Sequence, residues 1–203
     1  MSFESWIVIS VLGLLVLVVL VAFGIYNRLV RLSVQTKEAW SGIAVQLRRR
    51  ASLIPNLVET VKGYAAHERS VFDEVTQARS ALQDASGPTE STAANQTLTA
   101  ALGRLFAVVE NYPELKASTN FQELQDELSD VEEKIAYARQ FYNRNVASFN
   151  IRIRSIPDIL IARMLAFDRF EFFEEGEETL EDVQVSFALA STAGSASKPL
   201  QEG

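Results

Sequence analysis

Residues 6–26 read WIVISVLGLLVLVVLVAFGIY, twenty-one residues without a charge. At 1.5 Å rise per residue, a helix of this length reaches roughly 30 Å, the hydrocarbon thickness of a bilayer. Only Ser10, Gly13 and Gly24 interrupt the run, and in a helix the Ser10 hydroxyl can bond back to its own backbone. A buried core helix this long would normally keep a polar face, and this one has none. The stretch is read as a membrane span. A cleaved signal peptide is the competing reading, and it asks for a basic start, an apolar run of roughly 7–15 residues and a small-x-small site. The preceding MSFES carries Glu4 and no Lys or Arg, and Ala22-Phe23-Gly24 is a poor cleavage site. With no cysteine in the chain, lipid attachment to a Cys is excluded. The segment is expected to stay as an anchor, with residues 1–5 as a short extracytoplasmic N-terminus.

The flanks predict orientation. Arg28 and Arg31 follow the span directly, with Lys37 and Arg48-Arg49-Arg50 further on, and no basic residue precedes it. Positive flanks stay in the cytoplasm, so the body after the span is expected to be cytoplasmic and the N-terminus outside. The lack of cysteine fits a reducing compartment. No charge lies within the span, so nothing suggests a proton relay or ion path. Gly13 and Gly24 lack the GxxxG spacing of a close-packed helix dimer.

Residues 27–175 read as one all-helical domain. Between Arg28 and Glu174 there are four prolines and four glycines, and no strand alternation appears. Apolar residues recur instead at steps of three and four, in three stripes. The first is Leu57, Val61, Tyr64, Val71, Val75, Ala78 and Leu82; the second is Leu98, Ala101, Leu105, Val108 and Tyr112. The third runs Phe121, Leu124, Leu128, Val131, Ile135, Ala138, Tyr142, Phe149 and Ile156. Such stripes keep one face toward partner helices. Ser86-Gly87-Pro88-Thr89 signals a loop, Asn111-Tyr112-Pro113 a helix end, and Ser118-Thr119-Asn120 an N-cap. Pro55 either opens a new helix or kinks a continuing one. The expected helices are 28–52, 55–85, 91–111 and 119–155, with a short helix over 158–165, in an antiparallel four-helix bundle. The first should continue straight out of the membrane helix. Phe167, Phe170, Phe172 and Phe173 either cap the bundle or offer an aromatic docking patch. Residues 176–203 turn acidic and then Ser/Ala-rich, the composition of a mobile tail.

Charge is unevenly spread. Residues 28–69 hold eight Lys/Arg against three acids, while 70–203 hold eleven against 22. The overall −7 argues against nucleic acid as a partner. The local basic excess makes Arg28, Arg31, Arg48, Arg49 and Arg50 candidate contacts for anionic headgroups, or simply topology determinants.

Catalytic chemistry finds little foothold. Without cysteine there is no thiol nucleophile, zinc knuckle or iron–sulfur cluster. The single histidine, His67, cannot supply HExxH or the paired Glu-x-x-His of di-iron bundles. No P-loop or GxGxxG occurs. No catalytic, cofactor-binding or metal-binding residue is assigned, no cofactor is expected, and a hydrolase or metal enzyme remains a remote alternative. What remains are polar residues near packing faces: Asn56, Thr60 and His67 on the second helix, and Glu132, Arg139, Asn143 and Asn150 on the fourth. They either fix helix register or recognise a partner helix.

Several runs together carry a resemblance. Tyr26-Asn27-Arg28-Leu29-Val30, Glu38-Ala39-Trp40 and Gln46-Leu47-Arg48-Arg49-Arg50 lead into LIPNLVETVKGY at 53–64 and His67-Glu68. Ala138-Arg139-Gln140-Phe141-Tyr142-Asn143, Phe149-Asn150, Ile156-Pro157 and Phe170-Glu171-Phe172-Phe173 follow. The chain resembles the LemA family of bacterial membrane proteins over roughly residues 5–175. The resemblance implies a short external N-terminus, one span, and a cytoplasmic bundle similar to a mirror variant of the up-and-down topology. It brings no catalytic residues. The expected function is a membrane-anchored, non-enzymatic interaction or scaffold protein whose partner is another membrane or envelope protein. The alternative is a self-assembling, homo-oligomeric or lipid-organising structural protein.

Overall fold

The computed structural model describes residues 3–173, so the stretch 176–203 lies outside the described residues. Among those described, the elements are helices alone: α1 Phe3–Lys62, α2 Arg69–Asp84, α3 Gly87–Val109, α4 Pro113–Lys116, α5 Thr119–Arg152 and α6 Asp158–Met164. α1 is 60 residues long, about 90 Å at the usual rise. Its apolar N-terminal window has no part buried against the rest of the chain. From Leu29 onward the same helix turns a stripe inward, with Ala39, Ile43, Leu47, Ile54, Leu57 and Val61 all buried. The all-helical class and the long apolar N-terminal helix agree with the sequence reading.

The expected boundary at 52–55 is wrong: Pro55 lies inside α1. Proline has no N–H to bond the carbonyl four residues back, which would leave Ala51 O without its helical donor. Arg79 on α2 supplies one instead, its Nε donating to Ala51 O at 3.0 Å. With that carbonyl satisfied, the helix continues to Lys62. The chain turns at 63–68, where Ala65 N donates to Val61 O at 2.9 Å. Gly63 and His67, expected on a helix, lie in this turn.

The remaining ends also shift. α3 starts at Gly87 rather than 91, because Pro88 fits a first helical turn. Gly87 takes a φ of +78°, which glycine adopts without a Cβ clash. The Glu90 carboxylate accepts the Ser86 N–H at 2.9 Å. α4, not anticipated, is a single turn that buries Leu115. Ser118 stands at the start of α5 in extended conformation, but its side chain makes no capping bond. α5 ends at Arg152 rather than 155, and the Ile156–Pro157 bond before α6 is cis.

Cross-contacts give the directions. Leu29 clusters with Phe149 and Ile153, Trp40 meets Tyr142 with ring centroids 5.6 Å apart, and Arg50 meets Glu132. Numbers rising on α1 match numbers falling on α5, so the two helices run antiparallel along most of the body. α2 folds back on α1 through Arg79, and α3 packs on α2, where Arg104 pairs with Glu74 at 2.5 Å. Phe106 and Phe121, 6.3 Å apart, bring α3 to α5. The core is one main cluster plus a smaller one at Leu29, Phe149, Ile153 and Ala162. Each large side chain so buried contributes roughly 1.5–3 kcal/mol.

Candidate functional site

Three places in the body concentrate polar or exposed aromatic chemistry. The first is Arg50. α1 presents it in the apolar stripe, and it is 4% exposed. Its Nη1 donates to Asn95 Oδ1 on α3, its Nη2 donates to Thr99 Oγ1 at 3.0 Å, and the same nitrogen pairs with Glu132 Oε2 on α5 at 3.0 Å. Nε has no partner among the described residues. Burial lowers the guanidinium pKa and the Glu132 charge opposes this; an arginine so placed stays a cation at neutral pH. One side chain thus joins three helices. It floors a cleft of about 420 Å³ between α3 and α5, walled by Leu102, Phe106, Gln125 and Ser129.

The second place is a strap. After α6 the chain runs without helix from 167 to 173 along α5. Asn150 donates Nδ2 to Phe170 O at 2.9 Å, and its Oδ1 accepts the Phe170 N–H at 3.1 Å. Asn143 does the same for Phe173, both bonds at 3.0 Å. Seven residues of helix rise about 10.5 Å, and three residues of extended chain about 10 Å, so one heptad on α5 matches three residues of strap. Between these clamps Tyr142 OH donates to Glu171 O at 2.7 Å. Burial first, and the Glu171 charge second, push this phenol up to about 12. The Glu171 side chain accepts from Thr89 Oγ1 at 2.6 Å, beside the electropositive start of α3.

The third place is a groove of about 540 Å³ between α1 and α5. Ala39 and Gly42 lie in it, and Tyr137 and Phe141 line it, 75% and 51% exposed.

The predicted residues divide accordingly. Glu132, Asn143 and Asn150 join helices or hold the strap. Thr60 bonds its own helix at Asn56 O, 2.8 Å away. Asn56 and His67 are exposed at the far end of the body, and Arg139 is half-buried. Arg50 is corrected: buried, it cannot touch headgroups. Arg48 and Arg49 are exposed, roughly 33–35 Å along α1 from Tyr26. Arg28 and Arg31 are exposed beside the span. Phe173 is buried and Phe170 half-buried, packing on Trp40 and Phe149. Neither offers a docking surface; Phe172 is 39% exposed. Tyr137 and Phe141 were missed. Two large aromatics four apart and off the apolar stripe were the available signal. Among the described residues no three His, Asp or Glu side chains converge as a metal site would require.

The class is an all-helical body continuous with a helix long and apolar enough to cross a membrane. The chain belongs to the LemA family, whose sequence model matches residues 39–187. That range leaves out the span and runs further into the acidic stretch than the 5–175 read from the residues. The magnetosome protein MamQ 2 of Paramagnetospirillum magneticum is 30% identical, over 85% of this chain and 72% of that protein. MamQ of Magnetospirillum gryphiswaldense is 28% identical over the same shares. Protein LemA of Metamycoplasma hominis is 28% identical over 79% of this chain and 74% of that protein.

Proposed function

We propose that the chain is a single-pass, non-enzymatic scaffold of a bacterial inner membrane, with its N-terminus outside. In this reading the inner part of α1 forms with α2, α3 and α5 an antiparallel four-helix bundle in the cytoplasm, which docks another membrane or envelope protein. The observation that carries this is α1 itself, which runs unbroken from exposed apolar span into buried stripe. A partner seated on the body is then held at a fixed height above the bilayer, which a flexible tether would not do. Relatives named for the magnetosome, a cell structure, support a scaffold reading over an enzymatic one.

The docking face is the α1–α5 groove, where the small Ala39 and Gly42 leave room between the helices and Tyr137 with Phe141 offers aromatic anchors. Exposed aromatics bordering a groove suit the apolar face of a partner helix. A photoreactive residue at Tyr137, irradiated in intact membranes, should give a covalent product with a second protein. The product should fade several-fold on adding Phe141→Arg, and be absent with the probe at Thr97. Equal labelling at Tyr137 and Thr97 would remove the groove from the account. A product of twice the chain's own mass would favour self-association instead.

A further inference from the structure

The last part of the body places apolar side chains where a soluble face would not carry them. Leu160 is 68% exposed and Met164 72%, four residues apart and so on one side of α6, and Ile156, in the turn before it, is 86% exposed. Leu165 adds to them at 45%. The opposite side is fixed inward: Ala162 is buried with Leu29, Phe149 and Ile153, and the buried Asp158 meets Arg152 Nε at 3.4 Å. α6 is therefore an amphipathic turn whose apolar outer face is left largely uncovered by the described residues.

Its height follows from what it touches. The cluster that holds Ala162 also packs Ile25, a residue of the apolar run, and Phe167 lies 6.5 Å from the ring of Tyr26, where that run ends. Leu29 is about 4.5 Å along the helix from Tyr26, and the headgroup layer on each side is roughly 5–7 Å thick. With α1 in the bilayer, α6 falls within that layer. Arg163 on α6, Arg154 and Arg169 on either side of it in sequence, and Arg28 and Arg31 just after the span are all exposed, the charge that anionic headgroups attract.

We propose that Ile156–Leu165 is a second membrane contact, with Ile156, Leu160, Met164 and Leu165 inserted among lipids beside the span. This rests on the anchor reading of α1. The occupant is lipid because the cluster that seats α6 packs on Ile25 and Phe167 meets Tyr26, where the apolar run ends. An interfacial helix buries its apolar face about 5–10 Å into the headgroup–acyl boundary, and a contact of this kind fixes the tilt and rotation of α1, which one span alone leaves free.

The full chain has no cysteine, so single Leu160→Cys can be labelled with a polarity-sensitive fluorophore in vesicles of phosphatidylcholine with one quarter phosphatidylglycerol. Leu17→Cys in the span and the exposed Thr97→Cys serve as references. The Leu160 probe should be blue-shifted, and quenched by lipids brominated near the top of the acyl chain several-fold more than the Thr97 probe. Met164→Cys should repeat the result. Leu160 and Thr97 probes quenched alike by aqueous iodide, with Leu17 still lipid-quenched, would overturn the second contact and leave the anchor standing. Failure at Leu17 as well would remove the anchor and this inference together. A Leu160 probe hidden from iodide yet untouched by brominated lipid would mean that protein covers the face, and would also overturn it.

Discussion

Arg50 stands in register with Ile43, Leu47, Ile54, Leu57 and Val61 at steps of four, three, four, three and four, an apolar stripe with one cation in it. A buried cation costs several kcal/mol in lost hydration unless its partners are in place, and here Asn95, Thr99 and Glu132 supply them from two other helices. Truncation removes the charge and leaves the buried Asn95 carbonyl unpaired. Arg50→Ala should therefore lower stability by about 3 kcal/mol. Glu132 is partly exposed, which places the loss toward the small end of the range for buried pairs. Arg50→Met refills the space with apolar atoms but still leaves the Asn95 carbonyl unpaired, and should cost about 2 kcal/mol. Urea unfolding of the full chain in mild detergent, followed by circular dichroism, reads both. An alanine variant within about 0.5 kcal/mol of the parent would show that the arginine does not fix the packing. The burial of Arg50 was legible in the sequence: its stripe position marks it as inward, whereas the run Arg48-Arg49-Arg50 suggests three equivalent surface charges. Periodicity decides between them. Its partners were not legible, since Asn95 and Thr99 meet it only once α3 has been laid against α1.

The helices were read well wherever one apolar stripe persisted, as along α5, and misread where a single residue had to be weighed. Pro55 is the instructive case. Proline's effect on a helix depends on whether the freed carbonyl finds another donor, and that donor, Arg79, is 28 residues beyond Ala51. The strap at 167–173 had no periodicity to show, because its order comes from side-chain amides on α5 and not from its own pattern. The sequence did place Asn143 and Asn150 one heptad apart, and offered register as one reading of them. Tyr142 gives this element a pH dependence. In the unfolded chain a tyrosine titrates near 10, whereas here the phenol is held up to about 12. A raised pKa favours the neutral, donating form, so its stabilisation is fully present below about pH 10 and is lost as pH rises through about 12. Unfolding by urea at a series of alkaline pH values should show the parent chain losing stability over this window, and Tyr142→Phe losing less. Equal pH slopes for the two would place the alkaline sensitivity elsewhere in the chain.

At the scale of the molecule, the basic excess of residues 28–69 separates into two groups with different work. Arg28 and Arg31 lie beside the span, while Arg48 to Arg50 ride about 33–36 Å further along α1, with Arg50 inside the body. Only the first group lies within the roughly 15–20 residues over which basic flanks set orientation, along with Lys37. Residues 1–5 hold no Lys or Arg, so Arg28, Arg31 and Lys37 carry the bias across the span. The orientation is therefore expected to be inward for the body. With no native cysteine, Ser86→Cys between α2 and α3 and Ser2→Cys ahead of the span report sidedness directly. A membrane-impermeant maleimide applied to intact spheroplasts should modify Ser2→Cys and spare Ser86→Cys, and both should react after permeabilisation. Modification of Ser86→Cys before permeabilisation would invert the molecule and put the groove and its partner on the outer side. An Arg28→Glu, Arg31→Glu double variant tests the cause. If those two arginines hold the orientation, a measurable fraction of the Ser86→Cys chains should become reactive from outside. An unchanged pattern would transfer the role to Lys37.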